Sequence, residues 1–547
     1  MKRTLVAAFS LALVASSVSS CTTTSAKPIE EYLSQKAVWV ECDESLFVEA
    51  EGQSDVFKSL TPECATVVVP ATYEGSSPSP EFGIQMMKIS KAQSSDYKGT
   101  LFINPGGPGG SGIEQLQWSP FPEEILSHYD IVGFDPRGVG VSQFTNGSEI
   151  KCSDALDYRT YFEGEGSPAN FDEYMANIPL SDEYITDCVE RNPFWWTLST
   201  ANVVADLEVI RQVITGDEDL NFIGTSYGTT IAGLYVSTYP DRVGKIVLDS
   251  PTTVDTDPIE SAIEDYKAME SKLNIYLDYY ADEVGKSSAE AWADLLYIKE
   301  LADNDKLIGY AGLVPSPERP EFMISSESLI SRGIVALNYF PEQDAKEEFS
   351  KAMQEALDYN SNWAFEFYAL SMDGYDPEFL QGETIAKKKL KRSNEFEVMT
   401  IVNSMDYSPE DLSIEDQKKL LAKMKKVAPK TYALGVDSNG YQYFGESLGL
   451  DWATIARNND SIPDPPTVPL VRENKSGKKL LIVGSMFESV TPYKFSKDTA
   501  KLLKSPLVSV ESSIHGPAAG YDNSCLNKVL VDFFVNDITP EDMTCKS

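Results

Sequence analysis

Histidine is nearly absent from this chain: 547 residues contain two, His128 and His515. Any chemistry that needs an imidazole therefore has two candidates, and His-rich metal sites are excluded. The cysteines show no C-x-x-C spacing, so zinc-binding patterns are absent too. Positive charge is also scarce. Against 84 acidic residues stand 46 Lys and Arg, a formal net charge of −38. So acidic a surface should repel nucleic acid and anionic lipid, while favouring solubility and cationic groups such as the free amine of a peptide. Residues 5–18 form an apolar stretch, but it is too short and too interrupted by small residues to span a bilayer.

The composition is otherwise ordinary, with 42% hydrophobic and 24% charged residues, which excludes large-scale disorder. The length exceeds what one compact domain needs, so the chain holds either several domains or one domain with a large insertion. At the N-terminus, Lys2 and Arg3 precede the short apolar stretch, which ends in Val18-Ser19-Ser20-Cys21. This resembles a bacterial lipobox. It implies a lipoprotein signal peptide over 1–20, a lipid on Cys21, a polar tether over 21–36 and attachment to the cell envelope. Thr22 is not the aspartate associated with inner-membrane retention, so the outer membrane is favoured. Six further cysteines then remain, an even number suited to an oxidising compartment. They fall into three local couples, giving the expected disulfides Cys42–Cys64, Cys152–Cys188 and Cys525–Cys545.

Strand-like runs at 64–69, 82–89, 100–103, 131–134, 221–223 and 245–248 are interleaved with helical patterns at 202–214 and 229–239. Alternation of this kind predicts a mostly parallel sheet with crossover helices. From 253 to 460 the sequence is acidic, rich in Tyr and helical in pattern, and reads as a lid inserted into the core. Its basic run at 387–392 is a solvated helix face. A Pro-rich stretch at 461–469 leads back to strands at 480–483 and 507–510, the last of the sheet, with a helix at 494–503 between them. The core thus comprises 37–252 and 461–547.

The strongest local signal is Gly224-Thr225-Ser226-Tyr227-Gly228, a G-x-S-x-G between a strand and a helix. A turn this sharp lifts the serine hydroxyl above the sheet, and the flanking positions must be glycine because side chains there would collide with the adjoining strand and helix. A serine needs a base to take its proton. His128 precedes a strand and belongs at the opposite edge of the sheet, whereas His515 follows the last strand, where an α/β-hydrolase holds its base. The acid should follow the preceding strand. Glu488 is the single carboxylate in the loop 484–492, with Asp249, just after strand 245–248, as the alternative. The oxyanion requires two backbone N–H donors, Tyr227 and, from the glycine-rich loop 104–112, Gly107. That loop lacks the Lys-Ser/Thr of a phosphate cradle.

With these residues assembled, the chain resembles secreted bacterial tripeptidyl aminopeptidases and the related proline iminopeptidases, within the α/β-hydrolases. The resemblance rests on C-A-T-V-V-V-P at 64–70, N-P-G-G-P-G-G-S-G at 104–112, Y-D-I-V-G-F-D-P-R-G-V-G-V-S at 129–142, G-T-S-Y-G at 224–228, Y-P-D-R-V at 239–243, V-T-P at 490–492 and His515-Gly516 followed by Cys525. It implies an α/β-hydrolase fold with a large helical lid, and an exopeptidase that takes short peptides with a free N-terminus through an acyl-enzyme, without metal or organic cofactor. An esterase or lipase using the same triad is the alternative. The family usually carries Asp where Glu488 stands and Gly where Ile514 stands. It binds the substrate amine through acidic lid residues that the sequence does not single out.

Overall fold

The computed structural model describes residues 27–48, 52–73, 80–92, 95–152, 188–252, 258–304, 307, 326–372, 394–406, 414–434, 474–478, 480–520 and 523–546. The signal segment, Cys21, the basic run at 387–392 and the Pro-rich stretch at 461–469 lie outside them.

Ten strands form one sheet among the described residues: β1 (Val40–Glu41), β2 (Glu63–Pro70), β3 (Glu81–Ile89), β4 (Gly99–Asn104), β5 (Tyr129–Phe134), β6 (Leu220–Thr225), β7 (Val243–Asp249), β8 (Leu481–Ser485), β9 (Leu507–Glu511) and β10 (Met543–Lys546). Their spatial order is β1-β2-β3-β5-β4-β6-β7-β8-β9-β10. The first three join antiparallel, and every pairing from β5 onward is parallel. The sequence reading ended the sheet at 507–510. The structure adds β10, a polar-faced edge strand too short to carry an alternating signal, which pairs with β9 and which Cys525–Cys545 ties to the helix Ser524–Phe534. Cys42–Cys64 ties the other edge, and Cys152–Cys188 closes the third loop.

The parallel strands are buried on both faces, as crossover helices require. On one face, Phe102, Val132, Phe222, Ile246 and Ile482 pack with Val203, Leu207 and Ile210 of α3 and Ile231 and Tyr235 of α4. On the other, Leu101, Ile103, Ile131, Ile223, Val247 and Val483 pack with Ile113 and Leu116 of α2 and Leu526, Leu530 and Phe534 of α13. The helices used here are α1 (Ile29–Leu33), α2 (Gly112–Trp118), α3 (Thr200–Thr215), α4 (Tyr227–Thr238), α5 (Pro258–Val284), α6 (Ser288–Asp303), α7 (Ser326–Ala336), α8 (Glu342–Tyr359), α9 (Trp363–Met372), α10 (Glu395–Asp406), α11 (Ile414–Val427), α12 (Tyr493–Leu503) and α13 (Ser524–Phe534). Those from α5 to α9, which lie between β7 and β8 in the chain, share a separate apolar cluster around Leu273, Tyr276, Ile334, Phe349 and Phe365, so these helices have a core of their own.

The stretch 21–36 is not wholly a tether. Tyr32 of α1 is buried and donates to Glu81, and the Gln35 amide pairs with both backbone groups of Val68. One aromatic at the right turn and one amide beside an edge strand suffice to dock the segment on β2 and β3.

A buried ion network fixes the β5 side of the core. Arg137 donates to both carboxylate oxygens of Asp206 and to the carbonyls of Pro70, Ala71 and Thr197, while Tyr73 donates to Asp206 at 2.7 Å. Every guanidinium edge is used, which is the condition under which a buried pair can be afforded. Replacing Arg137 by Met strands the Asp206 carboxylate in the core. Arg137→Met is expected to lower stability by about 3–5 kcal/mol, read as a fall in the urea midpoint; an unchanged midpoint would show that the network adds no net stability.

Candidate active site

The chain leaves β4 toward β5 on one side and returns to β6 on the other, so the carboxyl ends of β4 and β6 flank a topological switch point, where open α/β sheets form their crevice. Ser226 stands there. Its φ of 55° and ψ of −124° put it in a region costly for a residue with a side chain, by about 1–3 kcal/mol. The surroundings enforce that conformation. Ser226 N donates to Asp249 O at 2.9 Å, and Ser226 O accepts from Thr229 N and its hydroxyl. A Cβ on Gly224 would lie 2.2 Å from Gly228 O, and one on Gly228 would lie 2.6 Å from Asn104 O on β4.

The glycine-rich loop closes over this turn. A Cβ on Gly106 would meet Thr225 O, Tyr227 N and Ser226 Cβ within 3 Å, so the loop backbone lies directly on the elbow. The Gly106 amide is spent on Asn104 Oδ1 and the Gly110 amide on Gly106 O. Gly107 follows Gly106 in this loop, and a Cβ on it would meet Gly109 N and Gly110 N; the residue brought against the Tyr227 amide at the start of α4 is Gly106. Asp135 anchors the far end of the loop, accepting from the Ser111 hydroxyl at 2.6 Å and from Ile113 N. Burial raises the Asp135 carboxyl to about 7 despite those bonds.

His515 is carried on the loop after β9. Ser485 Oγ donates to Ile514 O, Phe487 N to Ser512 O, and Gly516 N to Ser250 Oγ. Gly516, at φ 70°, has no room for a Cβ, which would fall 2.5 Å from Thr225 Cγ2. The neighbour of His515 is thereby pressed against the neighbour of Ser226. The imidazole Nδ1 lies 2.7 Å from Glu488 Oε2, with both side chains nearly sealed from solvent. The alternative acid, Asp249, serves elsewhere: its Oδ2 accepts from Ala518 N at 2.9 Å and from Thr225 Oγ1, clamping the segment after His515 to the elbow strand. Its burial pushes its titration well above the usual carboxylate range. His128 bonds Glu124 O just before β5, at the opposite edge.

Several groups were given no role in the sequence reading. Thr200, at the start of α3, bonds both the Tyr227 phenol and Asp406 of α10, and Asp406 also caps Thr200 N at 3.0 Å. Asn394, just before α10, bonds Gly140 N, Gly138 O and Ile150 O. These contacts dock the insertion onto the core loops. They also bring Glu395 to the glycine loop, where its carbonyl would lie 2.4 Å from a Cβ on Gly109. Glu395 is exposed to solvent, while protein packed around its carboxyl, with the charge of Glu114, raises that group to about 7.

A strained serine between glycines at a switch point, backed by a His–Glu pair, is the apparatus of a serine hydrolase, and the chain has the α/β-hydrolase fold. The family model described as alpha/beta hydrolase fold matches residues 99–329, and that of TAP-like protein matches residues 448–545. Serine protease Hip1 of Mycobacterium tuberculosis (strain ATCC 25618 / H37Rv) is 25% identical over 87% of this chain and 86% of its own. Tripeptidyl aminopeptidase of Streptomyces coelicolor is 31% identical over 40% of this chain and 41% of its own. Carboxylesterase B of the same M. tuberculosis strain is 25% identical, covering 89% and 86%.

Asp135 gives the site a signature in pH. Its folded-state value, about 7, lies above the ordinary 3.8, so between these values the folded form holds the extra proton. Stability should fall as pH rises through that window, at most about 1.4 kcal/mol per unit, and level off above it. Asp135→Asn is expected to flatten the decline in Tm between pH 4.5 and pH 7.5; a slope equal to wild type would mean that the carboxyl ionises freely.

Proposed function

We propose that this protein is an exported, lipid-anchored serine exopeptidase that releases single residues or short peptides from the free N-terminus of peptide substrates. The observation that carries the chemistry is the 2.7 Å pairing of Glu488 with His515, on a loop pressed against the strained turn of Ser226. Ser226 Oγ attacks the scissile carbonyl while the His515 ring nitrogen facing away from Glu488 takes its proton. Glu488 orients the imidazole and stabilises the imidazolium. The amides of Gly107 and Tyr227 hold the oxyanion, each worth about 2.7–4 kcal/mol in the transition state. His515 then protonates the departing amine, and water repeats the sequence in reverse on the acyl-enzyme.

The exopeptidase reading draws on the similarity to the tripeptidyl aminopeptidase and the serine protease, and on Glu395. An exposed acidic residue whose backbone abuts the glycine loop, with Glu114 near, suits a substrate ammonium. The helical insertion limits the crevice to short chains. The carboxylesterase relative keeps an ester-cleaving reading open. The two separate on one substrate panel: tripeptidyl and aminoacyl anilides, their N-acetylated forms, and short acyl esters. Cleavage of free-amine anilides, lost in Ser226→Ala at unchanged Tm and weakened about tenfold in KM by Glu395→Gln, is the expected pattern. Ester cleavage alone would favour the rival, and activity surviving in Ser226→Ala would end the triad assignment.

The anchor is proposed from the Val18-Ser19-Ser20-Cys21 sequence. Cys21→Ser should move the protein from the detergent phase to the aqueous phase in a Triton X-114 partition of whole cells; partition unchanged by the substitution would refute lipidation.

A further inference from the structure

Lys272, on α5 of the insertion, is 2% exposed, and its Nζ has no hydrogen-bond partner. Nζ stands over the Tyr276 ring, 5.6 Å from its centroid, but a ring face carries no net charge, and an ammonium without an anion is expensive to bury, so its surroundings should hold a counter-charge. Met269 and Tyr276, at i−3 and i+4, share its helix face. Both grip Asn338: Tyr276 donates to Asn338 Oδ1 at 3.1 Å, and Asn338 Nδ2 reaches Met269 Sδ at 3.4 Å. The next residue, Tyr339, sets its ring edge-on against the His515 imidazole, with centroids 5.8 Å apart. The face of α5 that bears Lys272 is thus linked through two adjacent residues to the catalytic base. Bonded to that imidazole is Glu488, whose side chain is fully buried and whose Oε1 has no partner.

Four other charged groups bear on this neighbourhood. Glu342 and Lys346 of α8 act on Lys272 in opposite directions, and they are paired with each other. Glu488 acts on Lys272 as well, and Glu488 and Asp249 of β7 act on one another. Once the α8 pair is set aside, Glu488 is the anion left for Lys272 to balance.

We infer that Lys272 is the counter-cation of the Glu488–His515 pair, a positioning residue that acts through Glu488 and keeps the imidazole unprotonated and ready to accept the serine proton. Burial lowers the titration of Lys272 itself to about 8, which leaves it charged at neutral pH. Without it, the pair carries an uncompensated negative charge in a dry pocket beside Asp249, and takes up a proton more readily.

This rests on the triad reading, and the test separates the two. The second-order rate of Ser226 labelling by a fluorophosphonate is measured against pH in the full-length protein. In Lys272→Met the acid limb should move up by about 0.5–1 pH unit; in Lys272→Arg it should stay near wild type; and in a Glu488→Gln background the Met substitution should move it no further. A Met profile that is wild type scaled by one factor at every pH would overturn the inference, as would a shift that persists undiminished with Glu488→Gln. Failure of the wild type to label would instead strike the triad reading. A ¹⁵N-histidine NMR titration, simple with two histidines, reads the same comparison without the nucleophile. Should Lys272→Met not fold, Lys272→Gln replaces it with the same expected shift.

Discussion

Backbone crowding where β4 and β6 lie side by side is the constraint from which the site follows. Three chain segments meet there with no room for side chains: the carboxyl end of β4, the loop after it and the turn after β6. Gly228 faces Asn104 O, Gly224 faces Gly228 O, and Gly106 faces Thr225 O and Tyr227 N, each closer than a Cβ permits. Steric exclusion does here what binding energy does in a flexible loop. It fixes the Ser226 hydroxyl and the neighbouring amides in space before any substrate arrives, so little ordering entropy remains to be lost in the transition state. The parallel strands, sealed on both faces by apolar side chains, are the rigid base against which that crowding is sustained.

Charge is managed differently in the interior and on the surface. The surface carries the large acidic excess, exposed to water and screened by salt. The interior acids are each treated individually. Asp206 is met by a fully engaged guanidinium. Asp249 and Asp135 lack a cation and are driven toward their protonated forms by burial, while their hydrogen bonds tie loops to strands. Glu488 alone among these is joined to a histidine, and that pairing gives its charge a chemical use. The acids in this core are thus distinguished less by exposure than by the partner each one meets.

Much of this was legible in the sequence because the relevant features are local. The Ser226 turn is written in five consecutive residues whose glycines follow from sterics, and the strand periods bracket it. His515 was selected by scarcity together with its place after a strand. Glu488 was reached by elimination within one loop, and the reason to prefer it to Asp249 became visible only in three dimensions: Glu488 Oε2 bonds the His515 ring, while Asp249 Oδ2 holds Ala518 N and Thr225 Oγ1. What stayed hidden depends on long-range placement. Thr200, Asn394, Asp406, Glu395 and Lys272 were given no role from the sequence, and each acquires meaning from a partner between about 27 and 286 residues away. The docking of α1 by Tyr32 and Gln35, and the short edge strand β10, escaped for the opposite reason: they are too brief to generate a period.

The insertion, then, is not a passive cover. It reaches the core through three unrelated contacts, each ending on a different working part. Glu395 ends on the glycine loop, Asp406 and Thr200 end on the phenol of Tyr227, and Tyr339 ends on the imidazole. A shift of the insertion would therefore be felt at the oxyanion loop, the elbow helix and the base together, since packed interfaces transmit displacement rather than absorb it. The crowded glycine framework and the helices that rest on it thus form one packed unit around the Ser226 turn.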